Sequence, residues 1–542
     1  MKTSKILYIS LLTASLGLGS CSSSFLDVEP ITEVLESNFY KTIEDADMAL
    51  VGCYDGYQRT SSNGNLSFVV ASEVLSDNCF GGTGHTDGRA YQVLDRFDKA
   101  QSPSDNNLFD GTWNDYYAGI FRCNTLLIKM EESDFSDQQE AKLRIEGETR
   151  FLRALMYFDL TRLFGGVPLL TEPTRDNLPR ADVKEVYQLI VEDLKFAAEN
   201  IPEGAYPKAQ AGDNDGRVTP HAAKALLARV YLFYTGYYGV DDLDVSRSEV
   251  LAGLEEVIQS NEFSLVASFR GLWPAASYVP VPENNTLDRS EYAGKGNAEV
   301  VFAKKFNNTQ NYDGNVDGNR WLVMLGLRNT NASPYGQGWG GCTVNPRLVN
   351  AFSDTDTRKV SSIIDIEGEG IVNFDRNDQR EYTGYANKKY TPTALPDGTS
   401  NTGGQNDFQI SQDQDYFVIR YADVLLMAAE LGSAKSQDYF NLVRQRAYGS
   451  NFSILPVNQA NILQERRLEF AFEGLRYWDL LRQGVDVAAS TIAQTQQVLS
   501  GSAPDQVVIQ AQQIINTRGL MQIPNNQITL SNGVLTQNEG WN

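Results

Sequence analysis

Histidine is nearly missing from this 542-residue chain, which carries only His85 and His221. That scarcity argues against a multi-His metal centre and against a His-based nucleophile relay. His85 reads as an exposed loop residue and His221, near a helix start, as a structural one. Cysteine is scarce as well, and the spacing of the five present makes no Cys-x-x-Cys metal motif. Lys and Arg number 46 against 69 Asp and Glu, a net charge of −23 with no basic run. Such a surface repels a phosphate backbone, so no nucleic acid partner is expected. The cluster Gly81-Gly82-Thr83-Gly84 has no Lys-Ser/Thr after it, which argues against a phosphate loop. Beyond the N-terminus no uninterrupted apolar run reaches about 18 residues. No cofactor and no metal is expected.

What is present has a globular balance, with 42% hydrophobic and 21% charged residues. The 6 Trp, 26 Tyr and 25 Phe are enough to fill a core and leave some for a ligand face. At about 150 residues per domain, the length fits three or four units or one large repeat-built body. Residues 1–20 read as an export signal. Lys2 and Lys5 precede an apolar run over residues 6–18, too short to span a bilayer. The run ends Leu18-Gly19-Ser20-Cys21, which resembles a bacterial lipobox and marks Cys21 for lipidation. Residues 21–38 then form a tether and N-terminal segment, and the mature chain is expected to be anchored to a membrane without spanning it. Export would permit oxidation of Cys53, Cys79, Cys123 and Cys342 in three full pairings. Buried free thiols are the favoured expectation.

Helical spacing of apolar residues dominates residues 39–265 and 411–542. The longest candidate, residues 138–164, carries the stripe Leu143, Gly147, Phe151, Ala154, Leu155 and Phe158, whose small members predict a close helix crossing. Thr219-Pro220 reads as an N-cap followed by proline at the first helical position. Further helices are expected over residues 421–432, 436–447 and 460–474. Helix pairs recur without a strict period, as in a degenerate tetratricopeptide scaffold. Residues 61–107 and 266–410 differ. They are rich in Gly, Asn and Asp with short strand candidates, and loop-rich segments of that size on a rigid scaffold are usually functional. The fold class is therefore mainly α, a helical-repeat scaffold with a large irregular insert.

Several segments now carry a resemblance. Residues 25–30 read FLDVEP after the lipobox, and residues 147–170 read GETRFLRALMYFDLTRLFGGVPLL. Residues 219–231 read TPHAAKALLARVY, residues 416–430 YFVIRYADVLLMAAE and residues 465–484 ERRLEFAFEGLRYWDLLRQG. In this order they resemble the SusD/RagB family of Bacteroidetes outer-membrane nutrient-binding lipoproteins. The resemblance implies four tetratricopeptide-like helix pairs and an irregular ligand-binding part. It implies a cell-surface location, a SusC-like TonB-dependent transporter as partner, an oligosaccharide (in some members a peptide) as ligand, and no hydrolysis. Two other readings stand beside it: a lipoprotein glycoside hydrolase, and a scaffold that binds only protein.

Glu465, Arg466, Arg467 and Glu469 on one helix, and Arg150, Arg153 and Arg162 on another, read as ion pairs that fix helix packing. Arg466 and Glu469, three apart, can pair with each other. Trp478 and Trp273 read as core. Sugar binding calls for aromatic faces to stack on C–H surfaces and for planar donors and acceptors at the hydroxyls. The resemblance places the ligand face in the two loop-rich regions. There Trp321 and Trp339 are expected as stacking platforms, with Tyr335 beside them and Asp77, Asn78 and Arg89 as hydroxyl partners. Phe80, His85, Asp87 and Tyr312 lie in the same regions. Trp339 stands in Gly338-Trp339-Gly340-Gly341, which would leave the indole free of neighbouring side chains; the competing account is that it anchors its own loop.

Overall fold

The computed structural model describes residues 39–541 apart from 62–65, 99–104, 203–214, 308–317 and 403–406. Cys21, the leader before it and Tyr312 lie outside the described residues. Eight helices make the scaffold: α1 (Ile43–Arg59), α2 (Asp110–Glu132), α3 (Gln139–Phe164), α4 (Val183–Asn200), α5 (Pro220–Tyr238), α6 (Arg247–Gln259), α7 (Tyr421–Glu430) and α8 (Ser436–Tyr448). Each packs on the next, including α6 on α7 across the long break between them. Four stacked helix pairs result, the tetratricopeptide-like architecture read from the sequence. Two further helices, α9 (Gln459–Glu469) and α10 (Arg476–Leu481), close its C-terminal side.

Local chemistry sets the ends of these helices. The Thr42 hydroxyl accepts from the Asp45 N–H while Asp45 takes the Thr42 N–H, and Ser246 and Glu249 do the same for α6. Thr219 caps α5 with Pro220 in the first turn, and Gly239 ends it at φ +70°. Small residues set the crossings. A Cβ on Gly147 would stand 2.6 Å from Ile201 Cγ1, and one on Gly56 2.9 Å from Gly119 Cα. The α3–α4 and α1–α2 contacts are therefore as close as the stripe implied, and Ala154 is fully buried.

Two antiparallel ladders bind the insert to the scaffold. β1 (Cys79–Gly82), β2 (Val300–Lys304), β3 (Gly341–Val344) and β4 (Tyr416–Arg420) pair as β1 with β3 and β2 with β4. In the first ladder Cys79 faces Val344 and Gly82 faces Gly341. In the second Tyr416 faces Lys304, with register shifts beyond Phe417. All four cysteines in the described residues are buried free thiols.

The charged C-terminal motif is structural. Arg358 bonds Asp356, Glu465 (2.6 Å) and Glu469 (3.1 Å), and Arg420 bonds Glu299, Glu469 and Glu473. Arg446 bridges Glu299 and Glu469, and Lys389 holds Glu473 at 2.7 Å. Burial pushes the Glu469 carboxyl up, but Arg446, Arg420 and Arg358 more than offset that and hold it far below the usual range. Arg466 does not pair with Glu469. It reaches Asp423 and Asp479 instead, because the two side chains leave α9 towards different partners.

Two expectations need correction. The helix read over residues 460–474 stops at Glu469, since the chain must turn there to dock on the helix Phe68–Val74. The Gly474 N–H donates to Glu73 at 2.6 Å, and at φ +71° this glycine lies within 3.4 Å of Val69 as a Cβ would see it. The second concerns residues 61–107, read as an irregular ligand face. Residues 66–84 are buried throughout. Phe68, Val69, Val70 and Ala71 form part of the main core, and Phe68 stacks on Trp478 at 5.2 Å.

Candidate functional site

Four of the six residues expected at the ligand face lie in the interior. Trp321 has no exposed surface; its ring sits 4.8 Å from Tyr390 and 5.5 Å from Tyr416. It cannot be a stacking platform, because it belongs to the apolar run Trp321-Leu322-Val323-Met324-Leu325 that turns inward as a short helix. Asp77 is held by Arg476 at 2.8 Å and by Arg467 at 2.9 Å. Burial pushes its carboxyl up, and the two guanidinium groups more than offset that. Asn78 accepts from Arg467 at 3.1 Å. Tyr335 is 7% exposed and its hydroxyl donates to Glu369 at 2.5 Å, with Lys388 over the ring. The Asp77 carboxylate, the Asn78 carbonyl oxygen and the Tyr335 hydroxyl already have protein partners.

The other two stay at the surface. Arg89 is exposed, at the end of a loop that Arg380 pins by donating to the carbonyls of His85 (2.9 Å), Asp87 (2.7 Å) and Gly88 (3.0 Å). Trp339 is half-buried, packs against the core and lies 5.8 Å from the Arg320 guanidinium. Its glycine neighbours serve backbone approach. A Cβ on Gly338 would meet the Val323 carbonyl at 2.1 Å. Arg328 links the two places, since its backbone pairs with Gly338 and its side chain with Asp87 at 3.1 Å.

A different part of the insert forms an open cleft of about 310 Å³. One wall is the hairpin region after the helix Pro274–Ser277, where Val279–Val281 pairs with Thr286–Asp288. That pairing brings Tyr278 and Tyr292 together at 5.6 Å with rings nearly perpendicular. Both are half-buried, and burial pushes both hydroxyls up, so they remain neutral donors. The Arg289 guanidinium lies 5.0 Å over the Tyr278 ring and donates to Asn401 at 3.4 Å. Lys295 pairs with Asp413 at 3.0 Å. The floor contains Thr391 and Ser411, 1% and 3% exposed. Neither hydroxyl oxygen has a hydrogen-bond partner among the described residues. A buried hydroxyl without a partner costs about 1–3 kcal/mol, so this floor favours a ligand that brings polar groups. Aromatic rings and polar side chains lining one cleft are the chemistry that sugars require.

Sequence reasoning missed Tyr278 and Tyr292. The available signal was partial: Tyr292 stands beside Asp288, Arg289 and Glu291 and Tyr278 just before Pro280 and Pro282, whereas Trp321 stands in an apolar run.

A larger cleft of about 640 Å³ lies between α1 and β2, and several of its polar groups are engaged in packing. Lys304 donates to Thr60 and Ser61 at 2.8 Å each, and burial pushes its ammonium down to about 7. Tyr54 donates to Glu148 at 2.5 Å, and Lys305 pairs with Asp215 and Asp415. Among the described residues no group of three His, Cys, Asp or Glu side chains could hold a metal ion. No helix among them is long and apolar enough to cross a membrane.

Two family models match this chain. One, described as the SusD family, covers residues 373–541; the other, described as starch-binding associating with outer membrane, covers residues 24–232. SusD-like protein P38 of Formosa agariphila is 26% identical over 510 residues, covering 87% of this chain and 90% of that protein. Surface glycan-binding protein A from Bacteroides fluxus superposes with a TM-score of 0.75 at 24% identity, over 92% of this chain and 99% of that one. Surface glycan-binding protein A from Bacteroides thetaiotaomicron, in complex with laminarihexaose, gives 0.72 at 21% identity, over 91% and 99%. With family models matched over residues 24–232 and 373–541 and relatives matched over most of the chain, this is a SusD-like family protein.

Proposed function

We propose that the protein is an outer-membrane lipoprotein that captures an oligosaccharide at the cell surface and passes it to a SusC-like TonB-dependent transporter. The observation that carries the binding step is the Tyr278–Tyr292 cleft over the unpartnered hydroxyls of Thr391 and Ser411. The tyrosine rings take the apolar face of a sugar, and Asn401, half-buried beside Arg289, takes its hydroxyls. Support comes from the laminarihexaose bound to one structural neighbour and from the outer-membrane association in the description of one matching family model. Binding needs no bond cleavage, and the chain acts as a carrier. Lipidation of Cys21 would supply the anchor, and surface exposure follows from the partnership with a transporter.

Titration calorimetry across a panel of neutral and acidic oligosaccharides tests the binding step. Saturable heat with unchanged ligand recovered afterwards is expected; release of shorter products would replace this reading with that of a hydrolase. Co-purification with the transporter from membranes tests delivery, and Cys21→Ala should release the protein from the membrane fraction.

A further inference from the structure

The cleft carries a charge opposite to that of the protein around it. The whole chain has net charge −23, yet the charged side chains lining this cleft are Arg289, Lys295 and Asp413. Lys295 and Asp413 neutralise each other at 3.0 Å. Arg289 remains, with no carboxylate partner among the described residues and a single hydrogen bond to Asn401. Its guanidinium is held over the Tyr278 ring, which orients the planar fork and reduces the entropy lost when an anion binds. Arg289 lines the same cleft as the two tyrosines.

Resting on the glycan reading above, we infer that the cleft takes an acidic saccharide, with the ligand's anionic substituent, a carboxylate or a sulfate ester, bound by Arg289. The two oxyanions share the relevant chemistry. Each presents two oxygens to the two parallel N–H groups of the guanidinium, and the charge-assisted pair is stronger and more directional than the neutral hydrogen bonds elsewhere in the cleft. Arg289 would then choose among sugars, while the tyrosines hold any of them.

The test uses the full-length protein on an array that carries neutral oligosaccharides of several linkages, each beside its uronate and its sulfate ester. The inference expects at least one acidic member to bind about tenfold or more tightly than its neutral partner. Arg289→Gln should bring the pair to within about twofold while leaving the melting temperature unchanged. Arg289→Lys, which keeps the charge and loses the fork, should fall between. The uronate and sulfate arms identify the anion. Equal affinity for neutral and acidic partners, or a preference that survives Arg289→Gln, overturns the acidic-ligand inference and leaves the glycan reading intact. Retention of nothing on the array overturns both.

Discussion

Residues 66–84 and residues 278–295 are two stretches of similar length, each with aromatic side chains among Gly, Asp, Asn and Ser. One is core and the other is surface. The first opens with Phe68-Val69-Val70-Ala71 and continues with Val74-Leu75, enough consecutive apolar surface to be drawn under the scaffold. Its polar residues go in with it and several find partners there: Asp77 in two arginines, Ser72 in the Phe68 carbonyl, one Glu73 oxygen in the Gly474 N–H. The second has Pro280 and Pro282 and then Glu283, Asn284 and Asn285, so its backbone can neither form a long ladder nor bury its side chains. Its tyrosines stay half-exposed. The difference teaches that a loop's overall composition is a poor guide to its place, and that runs of three or four apolar residues decide it.

The contrast can be broken at either end. The largest expected effect is in the buried stretch. Asp77→Ala leaves Arg467 and Arg476 inside without their carboxylate and should cost about 3–5 kcal/mol in denaturant unfolding. Glycan affinity of the remaining folded protein should not change; a surface-like cost below about 0.5 kcal/mol would return Asp77 to the ligand face.

Second in size is a scaffold control. Ala154→Leu overpacks the fully buried stripe of α3 and should cost about 1–3 kcal/mol. A melting temperature equal to the parent's would show that the helix crossing has room to spare.

Glu73 gives a comparable effect of opposite sign. Burial pushes its carboxyl up to about 7 from 4.5. The folded protein therefore keeps a proton that the unfolded chain has released, and stability from this group falls as pH rises from about 4.5 to about 7, then stays low. Glu73→Gln removes that loss. At pH 8 it should gain about 1–3 kcal/mol over the parent, and below pH 4 the difference should vanish. A variant less stable than the parent at pH 8 would mean that the carboxylate is needed charged.

The smallest stability effect belongs to the exposed stretch. Tyr278→Ala with Tyr292→Ala should change unfolding by far less than Asp77→Ala, yet lose about 1–3 kcal/mol of glycan affinity, by analogy with base stacking on aromatic side chains. Intact affinity in the double variant would move the site to Trp339 and Arg89.

Much of the scaffold was legible in the sequence. The α5 cap at Thr219-Pro220, the Gly147 crossing and the structural role of Glu465, Arg467 and Glu469 follow from spacing and residue chemistry. The site was legible only as a region. Trp321 drew attention as a large aromatic in a loop-rich insert, but its four apolar neighbours mark a buried turn of helix. Trp339 drew attention through flanking glycines, which in fact let the backbone pack against Val323. Tyr278 and Tyr292 lie 14 positions apart, and only the pairing of Val279–Val281 with Thr286–Asp288 brings them together. No local pattern reports such a contact.

The buried ion network has a consequence for biosynthesis. Its positive members Arg358, Lys389 and Arg420 are translated well before Glu465, Glu469 and Glu473, the carboxylates that neutralise them. Before Glu465 is translated, Arg358 has only Asp356 and Arg420 only Glu299 of their carboxylate partners and Lys389 has none, so closing the interior around them is costly. A product truncated before Glu473 is therefore expected to be cut by proteases faster than the whole chain, Lys389 being left inside without its carboxylate.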